Sequence, residues 1–255
     1  MKELLQVVKV GGAVVEDPAS LSSVLSSFAA LPGLKVLVHG GGRSATRLSE
    51  ALGIEPRMVA GRRVTDEKTL EVVTMVYGGL VNKRIVAGLQ ALGVNALGLT
   101  GADLGYMLSD KRPVGEVDYG WVGDVRKVDT SVLADLIARG VVPVLAPLTC
   151  DGAGHLLNTN ADTIAAEAAK ALAERFDVTL VYCFEKKGVL ADPSDDESVI
   201  PLITRASYAE LLSSGVVAGG MVPKLDNAFS ALDAGVSAVR ITCASAPDAG
   251  TIVRI

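Results

Sequence analysis

Leu4-Leu5-Gln6-Val7-Val8-Lys9-Val10-Gly11-Gly12 and Leu34-Lys35-Val36-Leu37-Val38-His39-Gly40-Gly41-Gly42 are two apolar runs, each closed by glycine. Their nearly continuous Val/Leu content, without strict alternation, suits strands covered on both faces, as in a mainly parallel sheet. Four further runs repeat the pattern at 96–100, 141–147, 178–184 and 237–243. Segments of helical character lie between them, at 18–31, 43–53, 66–92, 130–139, 160–174, 204–214 and 222–235. Alternating strand and helix predict an α/β fold in which a mainly parallel central sheet lies between helical layers. The stretch 105–128 breaks the rhythm. Its Gly105, Gly115, Gly120 and Gly123, set among Tyr106, Val117, Tyr119, Trp121 and Val125, read as hairpins projecting from the sheet edge. No low-complexity linker divides the chain, so two lobes sharing one sheet are expected, 1–175 and 176–255.

Composition sets the class. The chain has 255 residues, 49% apolar and 21% charged, enough to bury a core without disulfides or metal staples. A net charge of −5 argues against a broad nucleic-acid or anionic-membrane surface. Mean hydropathy of +0.40 is high for a monomer and suggests a covered subunit face. Cys150, Cys183 and Cys243 are far apart, each in or beside an apolar run, as expected of reduced thiols in a cytoplasmic protein. Two histidines, with no C-x-x-C or H-E-x-x-H pattern, predict no dedicated transition-metal site. Lys2, Glu3 and Lys9 interrupt the N-terminus, so no signal-peptide core is present there. No continuous apolar run approaches the roughly 18 residues of a membrane span.

The segment 66–92 is apolar on more than one face. Asp66 can cap its first turn, and Leu70, Val73, Tyr77, Leu80 and Val81 form a stripe at helical spacing. Val72, Met75 and Val76 widen it. Gly78 and Gly79 inside such a helix cost roughly 1 kcal/mol each against alanine, which a close backbone approach would offset. A buried helix and a subunit interface both fit.

Four features carry chemistry: Lys9-Val10-Gly11-Gly12, His39-Gly40-Gly41-Gly42, Asn158-Thr159-Asn160-Ala161-Asp162 and Gly219-Gly220-Met221-Val222-Pro223-Lys224. Glycines at a strand-to-helix turn let backbone N–H groups approach an anion, and the helix N-terminus adds a favourable dipole. Two such turns beside lysines suggest an extended phosphate lying across the strand ends. Gly40-Gly41-Gly42-Arg43-Ser44-Ala45 also satisfies G-x-G-x-x-A, which keeps a dehydrogenase open. No G-x-x-x-x-G-K-[ST] occurs, so a Walker-type site is excluded.

Together with Gly61-Arg62-Arg63-Val64-Thr65, these motifs resemble the amino-acid kinase family across essentially the whole chain, and within it the branch that phosphorylates the side-chain carboxylate of N-acetyl-L-glutamate with ATP in arginine biosynthesis. The resemblance implies that Lys9 and Lys224 flank the transferred phosphoryl group and that Asp162 holds both lysines. It implies that Gly11 and Gly12, with Gly41 and Gly42, offer N–H donors, and that Arg63 and Asn158 bind the substrate's α-carboxylate and amide. Nucleotide contacts would come from Glu185, Lys187, Gly188, Leu190, Val217, Gly219 and Met221. Mg2+ would be held mainly by the nucleotide phosphates rather than by protein ligands.

Three departures qualify the likeness. The turn at the nucleotide site is Phe184-Glu185-Lys186-Lys187-Gly188-Val189, where the family often has Thr-Asp-Val-x-Gly-Val; Lys186 or Lys187 would reach phosphate or remain surface charge. Arg43 stands where proline is usual, and with Arg62 would suit a longer, carboxylate-bearing acyl group, making N-succinyl-L-glutamate the alternative substrate. The first strand begins near Leu4, without the N-terminal helix of arginine-inhibited members. The resemblance therefore implies a homodimer through the 66–92 helix and no feedback inhibition by arginine. A catalytically silent nucleotide or amino-acid sensor is the alternative of a different class; the presence of Lys9, Lys224 and Asp162 argues against it.

Overall fold

Successive residues of the Leu4–Val10 strand (β1) feed opposite layers: Leu5 and Val7 enter one apolar core, Val8 and Val10 the other. Burial on both faces explains why the run is continuous rather than alternating. The computed structural model describes residues 2–184, 186–243 and 249–255. On one side of β1 lies Leu34–His39 (β2), paired in parallel. A two-residue hairpin follows, Met58–Val59 (β3) and Arg62–Arg63 (β4). Ala60 and Gly61 both have positive φ there, as a two-residue turn matching the strand twist requires.

Ala96–Leu99 (β5) belongs to the main sheet, whereas Met107–Lys111 (β6) and Gly123–Val128 (β7) do not. Val142–Leu145 (β8) returns to the main sheet, and Leu148–Cys150 (β9) with Leu156–Asn158 (β10) leaves it again. Asp177–Phe184 (β11), Leu202–Ile203 (β12), Ala238–Cys243 (β13) and Thr251–Val253 (β14) complete the chain. The eight-stranded sheet has the order β12-β14-β13-β11-β1-β2-β8-β5, and its pairs are parallel except β13 with β14. The α/β expectation holds, and all six strands read from the sequence are present to within a residue or two.

Two differences have clear causes. The hairpin over 105–128 does not project from the main sheet: β6 and β7 join β9 and β10 in a separate four-stranded sheet, order β10-β9-β6-β7. Tyr106 and Met107 are fully buried there, so the hairpin is anchored in the core. The second difference lies in Glu67–Ala91, one continuous helix whose middle, Thr74–Val81, is π-helical. Wider turns shift the register, so Val73, Tyr77 and Val81 are buried while Leu80 is 51% exposed. By length and composition this helix could cross a membrane, a test that a helix packed in a protein core also passes; 44% of its most apolar window is buried within the protein.

The helices form the two outer layers. Pro18–Ala30 (α1), Gly42–Ala51 (α2) and the Glu67–Ala91 helix (α3) cover one face. Thr130–Ala138 (α4), Ala161–Leu172 (α5), Arg205–Ser213 (α6) and Val222–Asp233 (α7) cover the other. Their starts are where the sequence puts capping residues. Asp17 accepts from the Ser20 N–H at 2.7 Å, Asp66 from Thr69 at 2.8 Å, and Thr204 forms a reciprocal capping box with Ser207.

Candidate active site

The C-terminal ends of β1, β2, β11 and β13 face a cleft of about 580 Å3. Its floor is backbone. A Cβ on Gly40 would lie 3.0 Å from the Gly12 nitrogen, and one on Gly12 would lie 3.5 Å from the Gly41 nitrogen. The turns after β1 and β2 therefore pack backbone against backbone, a contact that any side chain at Gly40 would crowd. The Gly11 N–H donates to the Cys183 carbonyl at 3.2 Å. Gly11 thus lines the cleft but ties β1 to β11, and Gly12, Gly41 and Gly42 remain as the backbone lining.

Lys9 is 7% exposed and pairs with Asp162 at 2.7 Å. Asp162 sits in the first turn of α5, whose cap is Asn160: its Oδ1 accepts from the Asp162 and Thr163 N–H groups at 2.7 and 3.3 Å. Lys224, one turn into α7, lines the same cleft. Both ammonium groups lie over the Phe184 ring, Lys224 at 3.9 Å and Lys9 at 5.1 Å from its centroid. An aromatic face attracts cations, so the ring helps bring two like charges to one place. Phe184 carried no functional signal beyond its departure from the family's usual turn.

Arg63 and Asn158 line the same cleft. Arg63 is 8% exposed; its Nη2 donates to the Gly42 carbonyl at 2.9 Å and to Thr46 Oγ1 at 2.7 Å. Its Nη1 is buried, with no hydrogen-bond partner among the described residues. Asn158 Nδ2 donates to Thr65 Oγ1 at 2.9 Å, and the Thr65 carbonyl accepts from the Trp121 N–H at 2.7 Å. Gly120 is essential to that docking: a Cβ there would lie 2.2 Å from the Thr65 oxygen. Arg43, Arg62, Arg112, Asp124 and Tyr77 also line the cleft. Of these, Arg112 and Asp124 pair with each other and carry no sequence signal, and Tyr77 belongs by sequence to the apolar stripe of the 66–92 segment.

The residues expected to touch nucleotide are divided. Gly188 and Met221 line the cleft, and Gly188 tolerates no side chain, since a Cβ would meet Thr251 Oγ1 and Val199 Cγ1 at 2.8 Å. Lys187 pairs with Glu197 on the surface, while Lys186, which does line the cleft, pairs with Asp196 at 2.6 Å. Leu190 bridges to Val199, Val217 is packed in the core, and Gly219 opens a short 3-10 turn with positive φ. Glu185 lies outside the described residues.

Beneath the glycine turn, His39 is fully buried. The Gly40 carbonyl can only accept, so His39 Nδ1 carries the proton and donates to it at 2.8 Å. Burial pushes the His39 pKa down to about 4; the Gly40 bond partly opposes this and Lys83 reinforces it. The folded state thus binds this proton more weakly than the unfolded chain, whose value is near 6.5. The stability from the neutral ring is complete above about pH 6.5 and is lost as pH falls to about 4, by about 3 kcal/mol. Urea unfolding at pH 7.5, 5.5 and 4.5 is expected to show this loss, and His39→Phe to flatten it. Asp66 and Asp124, whose pKa values are lowered by the Thr69 N–H and by Arg112 respectively, act in a separate window below 3.8.

Comparison with known proteins bears on this cleft. The model of the amino acid kinase family matches residues 5–243. The chain is 68% identical over 246 residues to an acetylglutamate kinase of Bacteroides thetaiotaomicron, covering 96% of each. It is 65% identical over 256 residues to an acetylglutamate kinase of Bacteroides fragilis, covering 100% of this chain and 98% of that one. Among solved structures it is similar to smu.665 of Streptococcus mutans UA159, with a TM-score of 0.80 and 28% identity over 98% of both chains.

Proposed function

This chain belongs to the amino acid kinase family, and from that premise we infer that it transfers the terminal phosphoryl group of ATP to the side-chain carboxylate of N-acetyl-L-glutamate, forming an acyl phosphate. It is a phosphotransferase with a carboxyl group as acceptor. One observation carries the reading: a single cleft is lined by Lys9 and Lys224, by Arg63 and Asn158, and by the glycine backbone of Gly12, Gly41 and Gly42. A glutamate carboxylate has a pKa near 4.3 and is already a nucleophile at neutral pH, so no general base is required. Chemistry then reduces to holding two anions in line and stabilising the charge that spreads over the phosphoryl oxygens. Lys9, Lys224 and the Gly12, Gly41 and Gly42 backbone serve that end, with Asp162 orienting Lys9; Arg63 and Asn158 hold the α-carboxylate and amide. Gly188 and Met221 border the nucleotide end, and we assign the adenosine side to residues 176–255 and the acylglutamate side to 1–175. Mg2+, when bound, neutralises phosphate charge and is held mainly by the nucleotide.

An ATP-dependent hydroxamate assay, which traps acyl phosphate, tests the reading with N-acetyl- and N-succinyl-L-glutamate side by side. Turnover with the acetyl compound is the expected result. The relatives' names favour that substrate, and Arg43 and Arg62 at the cleft make the succinyl compound the informative comparison. Turnover with neither would defeat the assignment. The family membership displaces the dehydrogenase reading of Gly40–Ala45, and a lowered melting curve shift with NAD than with ATP is the matching check.

We further propose a cytoplasmic homodimer joined through the Glu67–Ala91 helix. Met75 and Leu80, each 51% exposed on that helix, support the dimer, and Cys150, Cys183 and Cys243, none of them in a disulfide among the described residues, suit the compartment. Light scattering is expected to return twice the 26.3 kDa chain mass, and Leu80→Asp to return one chain; a monomeric wild type would remove the proposal.

A further inference from the structure

The π turn and the glycine turn meet. Tyr77 and Asn82 are five residues apart, about 1.4 turns of an ordinary α-helix, and would face different directions there. In this helix the Asn82 N–H bonds the Tyr77 carbonyl, the i to i+5 link of a π turn, and the wider turn brings both side chains to the strand β2 exit. Tyr77 packs against Gly41, where a Cβ would lie 2.9 Å from its Cδ1. Asn82, 1% exposed, donates through Nδ2 to His39 Nε2 at 3.2 Å and to the Val144 carbonyl at 3.0 Å. Its amide orientation is fixed by Lys83, which has only donors and reaches Asn82 Oδ1 at 3.1 Å. Even β5 yields space: a Cβ on Gly98 would lie 1.7 Å from that oxygen.

We propose that Asn82 and His39 are positioning residues for the transfer: the buried relay from the π turn through Asn82 and the His39 ring to the Gly40 carbonyl holds the Gly41 and Gly42 amides toward the cleft. The proposal rests on the kinase reading above. Every polar atom of the relay has a partner, and the relay ends on the Gly40 carbonyl, which shares one planar peptide with the Gly41 N–H and precedes that of Gly42 by one. An apolar pair of the same volume would fill the space at similar cost. The relay's distinguishing product is therefore the orientation of the turn.

The test compares Asn82→Ala and His39→Phe, the second keeping ring volume without the ring nitrogens, with Ile85→Ala, a buried control on the same helix. All three are expected to lower the melting temperature. Assayed below those temperatures, the two relay variants are expected to lose about 10–100-fold in kcat with little change in either KM, and the control to keep its kcat. Equal kcat values across the three would overturn the proposal. A second readout is independent of activity. With two histidines in the chain, His155→Gln assigns the His39 ring in 15N spectra. A ring protonated at Nδ1 is expected at pH 7, and Asn82→Ala is expected to move the Gly41 and Gly42 amide signals while leaving that of surface Gly235 in place. If the wild type fails to phosphorylate either acylglutamate, the kinase reading falls and these spectra alone decide the relay. A ring protonated at Nε2, or unmoved Gly41 and Gly42 amides, overturns it in either case.

Discussion

Methionine at Lys9 and alanine at Lys224 are each expected to lower kcat by about 10²–10³-fold, the loss typical of removing one preorganised group that meets developing charge. Methionine is the sharper choice at Lys9. The side chain rises from the central strand with its stem buried, and a thioether of similar length keeps that packing. What disappears is the charge that faces Asp162 at 2.7 Å. Its loss also leaves the Asp162 carboxylate beside an incoming polyanion, so Lys9→Met combines lost attraction with exposed repulsion. Asp162→Asn in the same chain removes the repulsive part, and the double variant is expected to lose less than the product of the two single losses. Lys224 also lies over the Phe184 ring, on α7, in the same outer layer as α5. Its removal is expected to act on kcat. Initial rates in the hydroxamate assay at saturating substrate, with circular dichroism to confirm folding, read both outcomes. If either lysine can be lost with kcat within a few-fold of the wild type, its place in the transfer is wrong.

What the sequence made legible follows from what each signal measures. Glycine-bounded aliphatic runs mark strands covered on both faces, which is why the parallel core from β1 to β13 could be located to within a residue or two. Short edge pieces lack that signal. Leu202–Ile203, Thr251–Val253 and the β9–β10 hairpin have two or three residues each, too few for any period to show. A π turn is equally silent, because a 3.6-residue stripe and a wider turn differ by one position, visible here only in the exposure of Leu80. The site divides along the same line. Lys9, Asp162, Arg63, Asn158 and Lys224 lie at element ends where motif and geometry coincide, and the fold brings four of them to the cleft wall with Asp162 behind Lys9. Lys187, Leu190 and Val217 stand in an irregular stretch, where a matched position does not fix the direction of a side chain. There Glu197, Val199 and the core take them instead. Arg112 and Asp124 reach the cleft only because the second sheet folds back over it, a long-range event with no local trace.

Lysine at Arg63 is expected to raise KM for the acylglutamate by about 10–100-fold and to leave KM for ATP nearly unchanged. Arg63 already commits one nitrogen, Nη2, to the Gly42 carbonyl and Thr46, while Nη1 is buried with no hydrogen-bond partner of good geometry among the described residues, the nearby Tyr77 hydroxyl feeling the guanidinium charge. An unmet buried donor costs roughly 1–3 kcal/mol, more when charged, and a carboxylate arriving from the cleft would remove that cost. The guanidinium is thus anchored by one arm and presents the other, which a lysine cannot reproduce: its single ammonium either takes the Gly42 carbonyl or meets the ligand. Losing one hydrogen bond to a charged group, about 1.5–3 kcal/mol, gives the stated rise. Since the anchored arm also braces the glycine turn, a smaller fall in kcat accompanies it. The two KM values carry the discrimination, because the proposed reading gives Arg63 and Asn158 to the acylglutamate and Gly188 and Met221 to the nucleotide. An equal rise in both would put Arg63 at the phosphates, and the division of the cleft into an acylglutamate end and a nucleotide end would have to be abandoned.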